Sequence, residues 1–316
     1  MPVSLGKVLE KVSDKTRLRI VSGEEFIPDS RVESERVNLL GLELAGCLGR
    51  VNPGRLQVLE PGALDYLNSH PGEAPGNLGR VLASGAPLLV LTDGSEVPGF
   101  LDGITRKESV TVGVTPLSRY EFVRVIEGEL EKLFAPETDY RGTMLEVYGV
   151  GVLITGKSNM GKSECAIDLL QRGHRIIGDD LVRISKRGTN VLLAKGKPPI
   201  SHRMELRGIG IIDIVRLMGV SAVKDVQKVE LIAALEKWHI DKSYDRLGLD
   251  EKYREILGVN IPYIEIPVAP GRNTAILVEV CAMNYRLRRK GIVPARELEL
   301  EVMDFIERKN LEENPG

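Results

Sequence analysis

The apolar positions of this chain fall in short runs divided by turn residues, and their spacing changes along its length. In the first third, residues 87–92 and 109–114 are rich in branched apolar side chains and predict strands. Residues 68–76 (Asn-Ser-His-Pro-Gly-Glu-Ala-Pro-Gly) are mostly turn formers and predict a loop. Ser118 and Glu121 have the spacing of a capping box. Phe122, Ile126, Leu130 and Leu133 then recur at three or four residues, which predicts an amphipathic helix of roughly 15 residues ending near Ala135-Pro136. A polar stretch follows. We expect a domain boundary there, dividing the chain into residues 1–134, ending in this connector helix, and residues 135–316.

From Met144 the pattern changes. Residues 145–155 read as one long strand. A glycine loop follows, then a helix carrying Ala166, Leu169 and Leu170 that stops at Gly173. Next come an apolar strand, Arg175-Ile-Ile177, and two aspartates. A strand–loop–helix–strand unit is the core of an α/β domain, so the expected fold class is α/β in two domains. Further on, Ile276, Val280, Met283 and Leu287 mark one face of a helix over residues 273–290. Leu298, Val302 and Phe305 mark a last helix over residues 295–309.

Composition narrows the class. At 42% hydrophobic and 28% charged, 316 residues supply ample core material and exclude a disordered or collagen-like chain. Forty-three basic against 45 acidic residues leave a net charge of −2, with no field to recruit nucleic acid or an anionic membrane. No apolar run approaches the roughly 20 residues of a membrane span. The N-terminus lacks the apolar core of a signal peptide, so a cytoplasmic protein is expected. Three cysteines (Cys47, Cys165, Cys281) and four scattered histidines fit neither a disulfide framework nor a zinc site.

The strongest chemical signal is the run Gly156, Lys157, Ser158, Asn159, Met160, Gly161, Lys162 and Ser163, a full match to G-x-x-x-x-G-K-[ST] between a strand and a helix. In such a loop backbone N–H groups wrap phosphate and the helix N-terminus adds positive potential. Lys162 can reach the β- and γ-phosphates, and the Ser163 hydroxyl can ligate Mg²⁺. Asp179 and Asp180 close the next strand. Two such carboxylates can divide the labour, one holding metal and one accepting a proton, although a strand-end Asp is also an ordinary turn or cap residue. Glu205 and Arg207, two apart, would share a face of a strand, either as functional groups or as a salt bridge. The polar segment 241–248, containing Arg246, reads as a loop. Arg272 opens the long helix beside Asn273, where it can meet an anion or simply flank a cap.

Together these segments resemble one family, the bacterial HPr kinase/phosphorylases. The resemblance rests on the phosphate-loop motif running into Lys-Ser-Glu164, on Gln-Arg-Gly-His-Arg-Ile-Ile-Gly-Asp-Asp180, and on Glu205-Leu-Arg-Gly-Ile-Gly-Ile-Ile-Asp-Ile214. Tyr-Asp-Arg-Leu-Gly-Leu-Asp250, Pro-Gly-Arg-Asn273, Ala-Met-Asn-Tyr-Arg-Leu287 and Gly41-Leu-Glu-Leu-Ala-Gly46 extend it over nearly the whole chain. It implies transfer of phosphate from ATP or pyrophosphate to a serine of the phosphocarrier HPr, with Mg²⁺. It also implies a phosphorolysis of seryl-phosphate to pyrophosphate, a homohexamer, and a non-catalytic N-terminal domain. By position, it implies that Lys162 and the loop hold phosphate and that Ser163 and Asp180, with Glu205, hold Mg²⁺. Asp179 would accept the serine proton, Arg246 would lie in the active-site loop, and the Arg272 turn would serve the phosphorolysis direction.

Four positions depart from the family pattern: Arg141 stands for a histidine, Lys157 for an aspartate, Asn159 for a glycine, and Ala269 for a basic residue. Arg141 would place a permanent cation near Asp179, favour its ionised form, and so predict a weakened phosphorolysis. The competing expectation is a regulatory protein that binds nucleotide and HPr-like partners with little turnover.

Overall fold

The computed structural model describes residues 2–239, 252–269 and 271–313. The chain forms two compact units, Met1–Ala135 and Pro136–Gly316.

The first unit contains strands β1 (Val3–Ser4), β2 (Arg19–Ser22), β3 (Arg31–Val32), β4 (Asn38–Leu39), β5 (Gln57–Leu59), β6 (Leu88–Leu91) and β7 (Thr111–Val114). Its helices are α1 (Leu5–Thr16), α2 (Pro61–Ser69), α3 (Ala74–Leu82), α4 (Gly99–Lys107) and α5 (Arg119–Phe134). The main sheet has the order β2-β7-β6-β5-β4, parallel from β4 to β7 with β2 antiparallel at one edge. Strand side chains alternate between faces, and here both faces are covered, which is why β6 is apolar throughout. Leu88 and Val90 pack with Val8, Val12, Phe122 and Ile126 of α1 and α5. Leu89 and Leu91 pack with Leu67, Leu78, Val81 and Leu101 of α2, α3 and α4. The Ser118–Glu121 capping box opens α5. The expected loop over 68–76 is shorter than its composition suggests. Helix α2 runs through Ser69 and α3 starts at Ala74, because Pro75 falls in the first turn, where no N–H is needed.

The second unit contains β8 (Glu137–Arg141), β9 (Thr143–Val147), β10 (Val150–Gly156), β11 (Arg175–Gly178), β12 (Leu181–Arg187) and β13 (Val191–Gly196). Strands β14 (Arg203–Leu206), β15 (Gly210–Asp213), β16 (Val226–Lys228), β17 (Leu231–Lys237), β18 (Lys252–Ile256) and β19 (Val259–Val268) follow. The helices are α6 (Lys162–Gln171), α7 (Ile214–Met218), α8 (Thr274–Arg289) and α9 (Pro294–Glu313). None of the described helices is long and apolar enough to cross a membrane.

A six-stranded sheet, β11-β9-β10-β17-β19-β18, carries three parallel strands at its centre, β10, β17 and β19. Helices α6 and α8 cover one face through Cys165, Ala166, Leu169, Ala275, Val278 and Ala282. The other face packs on a four-stranded sheet, β16-β13-β12-β8, through Leu153, Ile177, Val182, Ile184 and Leu192. Gly151 admits this close layering: a Cβ there would meet the Lys228 carbonyl oxygen at 1.7 Å.

One sequence expectation changes, and a second feature of the pattern finds an outer place. The long strand over 145–155 is a hairpin of β9 and β10, turned at Tyr148 (φ 48°) and Gly149 (φ 81°). Apolar residues continue through both arms, so only Gly149 marked the turn. The face of α8 marked by Ile276, Val280, Met283 and Leu287 is exposed, and the helix buries Ala275, Val278, Glu279 and Ala282 instead.

Candidate active site

Three parallel strands end on the same edge of the six-stranded sheet, and the glycine loop leaves the first of them. Gly156 (φ 145°) ends β10, where a Cβ would meet the Leu235 carbonyl oxygen at 2.5 Å. Gly161 (φ 78°) is the N-cap of α6. The loop 157–161 therefore arches over a helix N-terminus, the geometry that presents backbone N–H groups to an anion. Lys162 folds back over it, donating from Nζ to the carbonyls of Gly156 (3.3 Å) and Lys157 (3.2 Å).

Ser163 lies one residue further into α6. Its Oγ donates to Asp179 Oδ2 (3.0 Å), and Thr143 Oγ1 donates to Oδ1 of the same carboxylate (2.6 Å). Asp179 is 6% exposed. Burial pushes its carboxyl above the usual carboxylate range, and the Thr143 and Ser163 hydrogen bonds offset part of the rise. Asp180 is exposed and left-handed (φ 61°). The resemblance implied Asp180 as the partner of Ser163. The structure pairs Ser163 with Asp179.

Arg141 ends β8, where it is exposed and paired in register with Leu181. The next residue, Gly142, donates its N–H to the Asp180 carbonyl (3.0 Å). The expectation that Arg141 lowers the Asp179 pKa is therefore corrected. Arg141 stands out in solvent with no bond to Asp179, and burial governs that carboxyl.

The hairpin of β14 and β15 brings a second group of residues in. Met204 is buried against the α6 side of the core, while Glu205 on the next position is exposed. Arg207, at the hairpin tip, donates to Asn159 Oδ1 of the glycine loop. The alternative of a Glu205–Arg207 salt bridge is not realised, and Glu205 makes no ion pair among the described residues. At the end of β19, the Arg272 guanidinium lies 5.8 Å from the centre of the Trp238 ring, which follows β17. Arg246, with the rest of segment 241–248, lies outside the described residues. So does Pro270 of the Arg272 turn.

Ser163 and Asp179 offer a hydroxyl and a carboxylate side by side, an all-oxygen pair that suits Mg²⁺. That ion commonly takes one or two protein oxygens and fills its octahedron with water and phosphate oxygens. Accordingly, no cluster of three or more metal-ligating His, Cys, Asp or Glu side chains exists among the described residues. Sequence reasoning missed Thr143, whose one signal is a polar residue opening an apolar strand. It also missed the Asn159–Arg207 contact and a buried Glu279, bonded to His174 Nε2 (2.8 Å) and Arg172 (3.3 Å). Those partners are too far apart in sequence for any spacing to reveal them.

The family model described as HPr Serine kinase C-terminal domain matches residues 132–302, and that described as HPr Serine kinase N terminus matches residues 5–130. The HPr kinase/phosphorylase of Leptospira biflexa serovar Patoc is 36% identical over 305 residues, covering 96% of this chain and 94% of its own length. That of Geobacillus kaustophilus is 37% identical over 297 residues, covering 94% of this chain and 95% of its own. A solved structure, the HPr(Ser) kinase/phosphatase from Coxiella burnetii, is 36% identical, covers 49% of this chain and 93% of its own, and superposes with a TM-score of 0.45. With both domain models matched in order and the likeness sustained from end to end, the chain belongs to the HPr kinase/phosphorylase family.

Proposed function

We propose that this protein is an ATP-dependent protein-serine kinase acting on HPr, and that it also runs the phosphorolysis in which inorganic phosphate attacks seryl-phosphate to release pyrophosphate. The observation that carries the chemistry is the Ser163–Asp179 bond beneath the glycine loop, with a second, exposed carboxylate on the next residue.

In this reading the loop N–H groups and Lys162 hold the phosphates of ATP or pyrophosphate. Lys162 exchanges its two carbonyl partners for phosphate oxygens. Ser163 and Asp179 hold Mg²⁺, which when bound neutralises charge on the phosphates. Asp180, unburied and free of Ser163, accepts the proton as the serine oxygen bonds to phosphorus and the bond from phosphorus to the leaving ADP, or to the leaving phosphate of pyrophosphate, breaks. In reverse it returns that proton to the serine oxygen. These roles for the two aspartates are opposite to those implied by the resemblance, and burial is the reason. A carboxylate holding two hydroxyls in the interior is placed for a metal, whereas one that meets a substrate hydroxyl has to be reachable. Asp180 also favours an enzyme over a regulatory nucleotide binder, which has no need of a proton acceptor.

Two exposed surfaces support the remaining parts of the reading. Ile209 and Ile211 on the β14–β15 hairpin are 74% and 76% exposed, which offers a protein-sized substrate an apolar rim. The uncovered stripe on α8 supports self-association, with a homohexamer as the expected state. The test is incubation with HPr, Mg²⁺ and γ-labelled ATP, followed by phosphate. Label on a serine of HPr, then released pyrophosphate, is the expected result. Absence of label transfer by folded protein overturns the reading.

A further inference from the structure

The glycine loop and the β14–β15 hairpin are built separately, and one side-chain contact joins them. Asn159 lies in the middle of the loop at φ 68°. Few non-glycine residues adopt that conformation, and asparagine is among those that do so most readily. Its Oδ1 accepts from Ser158 Oγ (3.0 Å) and from the Arg207 guanidinium. The hairpin is anchored at its base, where Met204 and Ile214 are buried. Its tip is not: Gly208, Ile209 and Gly210 are all exposed, and a Cβ on either glycine would meet nothing within 4 Å. Leu206 and Ile212 behind the tip pack against the core, and among the described residues the bond to Asn159 is the side-chain hydrogen bond that holds the tip itself. Arg207 has no carboxylate partner among them either. A guanidinium held by a neutral amide oxygen keeps its full charge for an incoming phosphate, and its planar fork matches phosphate oxygens.

We infer that Asn159 is a positioning residue: its amide oxygen holds the Arg207 guanidinium beside the glycine loop, so that Arg207 meets the phosphoryl group being transferred. The inference rests on the phosphoryl-transfer reading above. It assigns Arg207 to the charge that develops on the phosphate, where a fixed donor contributes most. It also explains how a hairpin with a bare tip keeps a cation in register with the loop.

Asn159→Gly tests this, because glycine takes φ 68° without strain and removes the acceptor together with the rest of the amide side chain. The variant should melt at the wild-type temperature. Amide hydrogen exchange at residues 208–210 should quicken on the order of ten-fold, reporting a released tip. In transfer to HPr, kcat should fall on the order of ten-fold while KM for ATP moves less than about two-fold. Arg207→Ala should lower kcat further, and adding Asn159→Gly to it should change nothing more, since the two act as one unit. Unchanged exchange at the tip, an unchanged kcat, or additive losses in the double variant would each overturn the inference. Exchange is read on the protein alone, so an absence of HPr phosphorylation in wild type would count against the function and leave the contact separately tested.

Discussion

The Ser163 hydroxyl and the Asp179 carboxylate meet at 3.0 Å beneath the glycine loop, and Thr143 holds the other carboxylate oxygen at 2.6 Å. The bond joins the first turn of α6 to the end of β11. It separates the two aspartates by environment, and the separation can be read in solution.

Asp179→Asn should weaken Mg²⁺-dependent nucleotide binding by about ten-fold or more while leaving metal-free binding nearly unchanged. Asp180→Asn should keep nucleotide affinity and lower transfer to HPr by roughly 10²–10⁴-fold. Asparagine tolerates the left-handed backbone at 180, so the fold should survive. Calorimetry with and without Mg²⁺, beside a transfer assay, checks both. Loss of nucleotide affinity in Asp180→Asn with intact affinity in Asp179→Asn would return the aspartates to the roles implied by the resemblance.

Among the described residues Lys162 bonds only the carbonyls of Gly156 and Lys157, and it is no part of the buried core. Lys162→Ala should therefore melt within a degree or two of wild type. Transfer should fall by about 10²–10³-fold, the usual loss when a donor to a developing charge is removed. A wild-type rate in a folded variant would remove the lysine from the reaction.

The exposed α8 stripe gives a prediction about assembly. Val280 and Met283 are 51% and 43% exposed and form, with Ile276 and Leu287, an apolar stripe on the outer face of the helix. Val280→Asp with Met283→Asp should reduce the oligomer measured by light scattering while leaving the helical signal intact. An unchanged mass would place the subunit contact elsewhere.

Thiol chemistry reports the packing of the second unit. Burial pushes the Cys165 thiol up to about 12, with Asp168 adding to the rise, and burial pushes Cys281 up to about 11. Both remain protonated thiols at neutral pH, and the nucleophile in alkylation is the thiolate. Iodoacetamide at pH 8 should label the exposed Cys47 first, with Cys165 and Cys281 reacting only after denaturation. Rapid labelling of Cys165 in native protein would show that the α6 core opens.

What could be read from the chain alone follows the range of each signal. The capping box at Ser118, the glycine loop and the stop at Gly173 are local patterns, and all three stand in the structure. The turn at Tyr148 was hidden because its flanks are apolar on both sides. The helix at α8 was legible from its apolar periodicity, but which face it buries was not, because the sheet accepts small residues, Ala275 and Ala282, and leaves the larger ones outside. The nearness of Ser163 to the aspartates was legible from the order of the motifs, and the structure joins Ser163 to Asp179, while Arg246 lies outside the described residues. The division between Asp179 and Asp180 was not legible, since adjacent aspartates look alike until burial distinguishes them.

The two aspartates are also the entire connection between β11, in the six-stranded sheet, and β12, in the four-stranded one. Beside them Gly142 alone carries the chain from β8 to β9, between the same two layers. Its N–H reaches the Asp180 carbonyl, and a Cβ there would meet the Ile154 carbonyl oxygen at 2.7 Å. Active-site loops in most proteins can lengthen or shorten without disturbing their scaffold. Here neither crossing has a residue to spare, and an insertion at either would throw two sheets out of register at once. Grafting the carboxylate pair onto another protein would mean transplanting both layers with it.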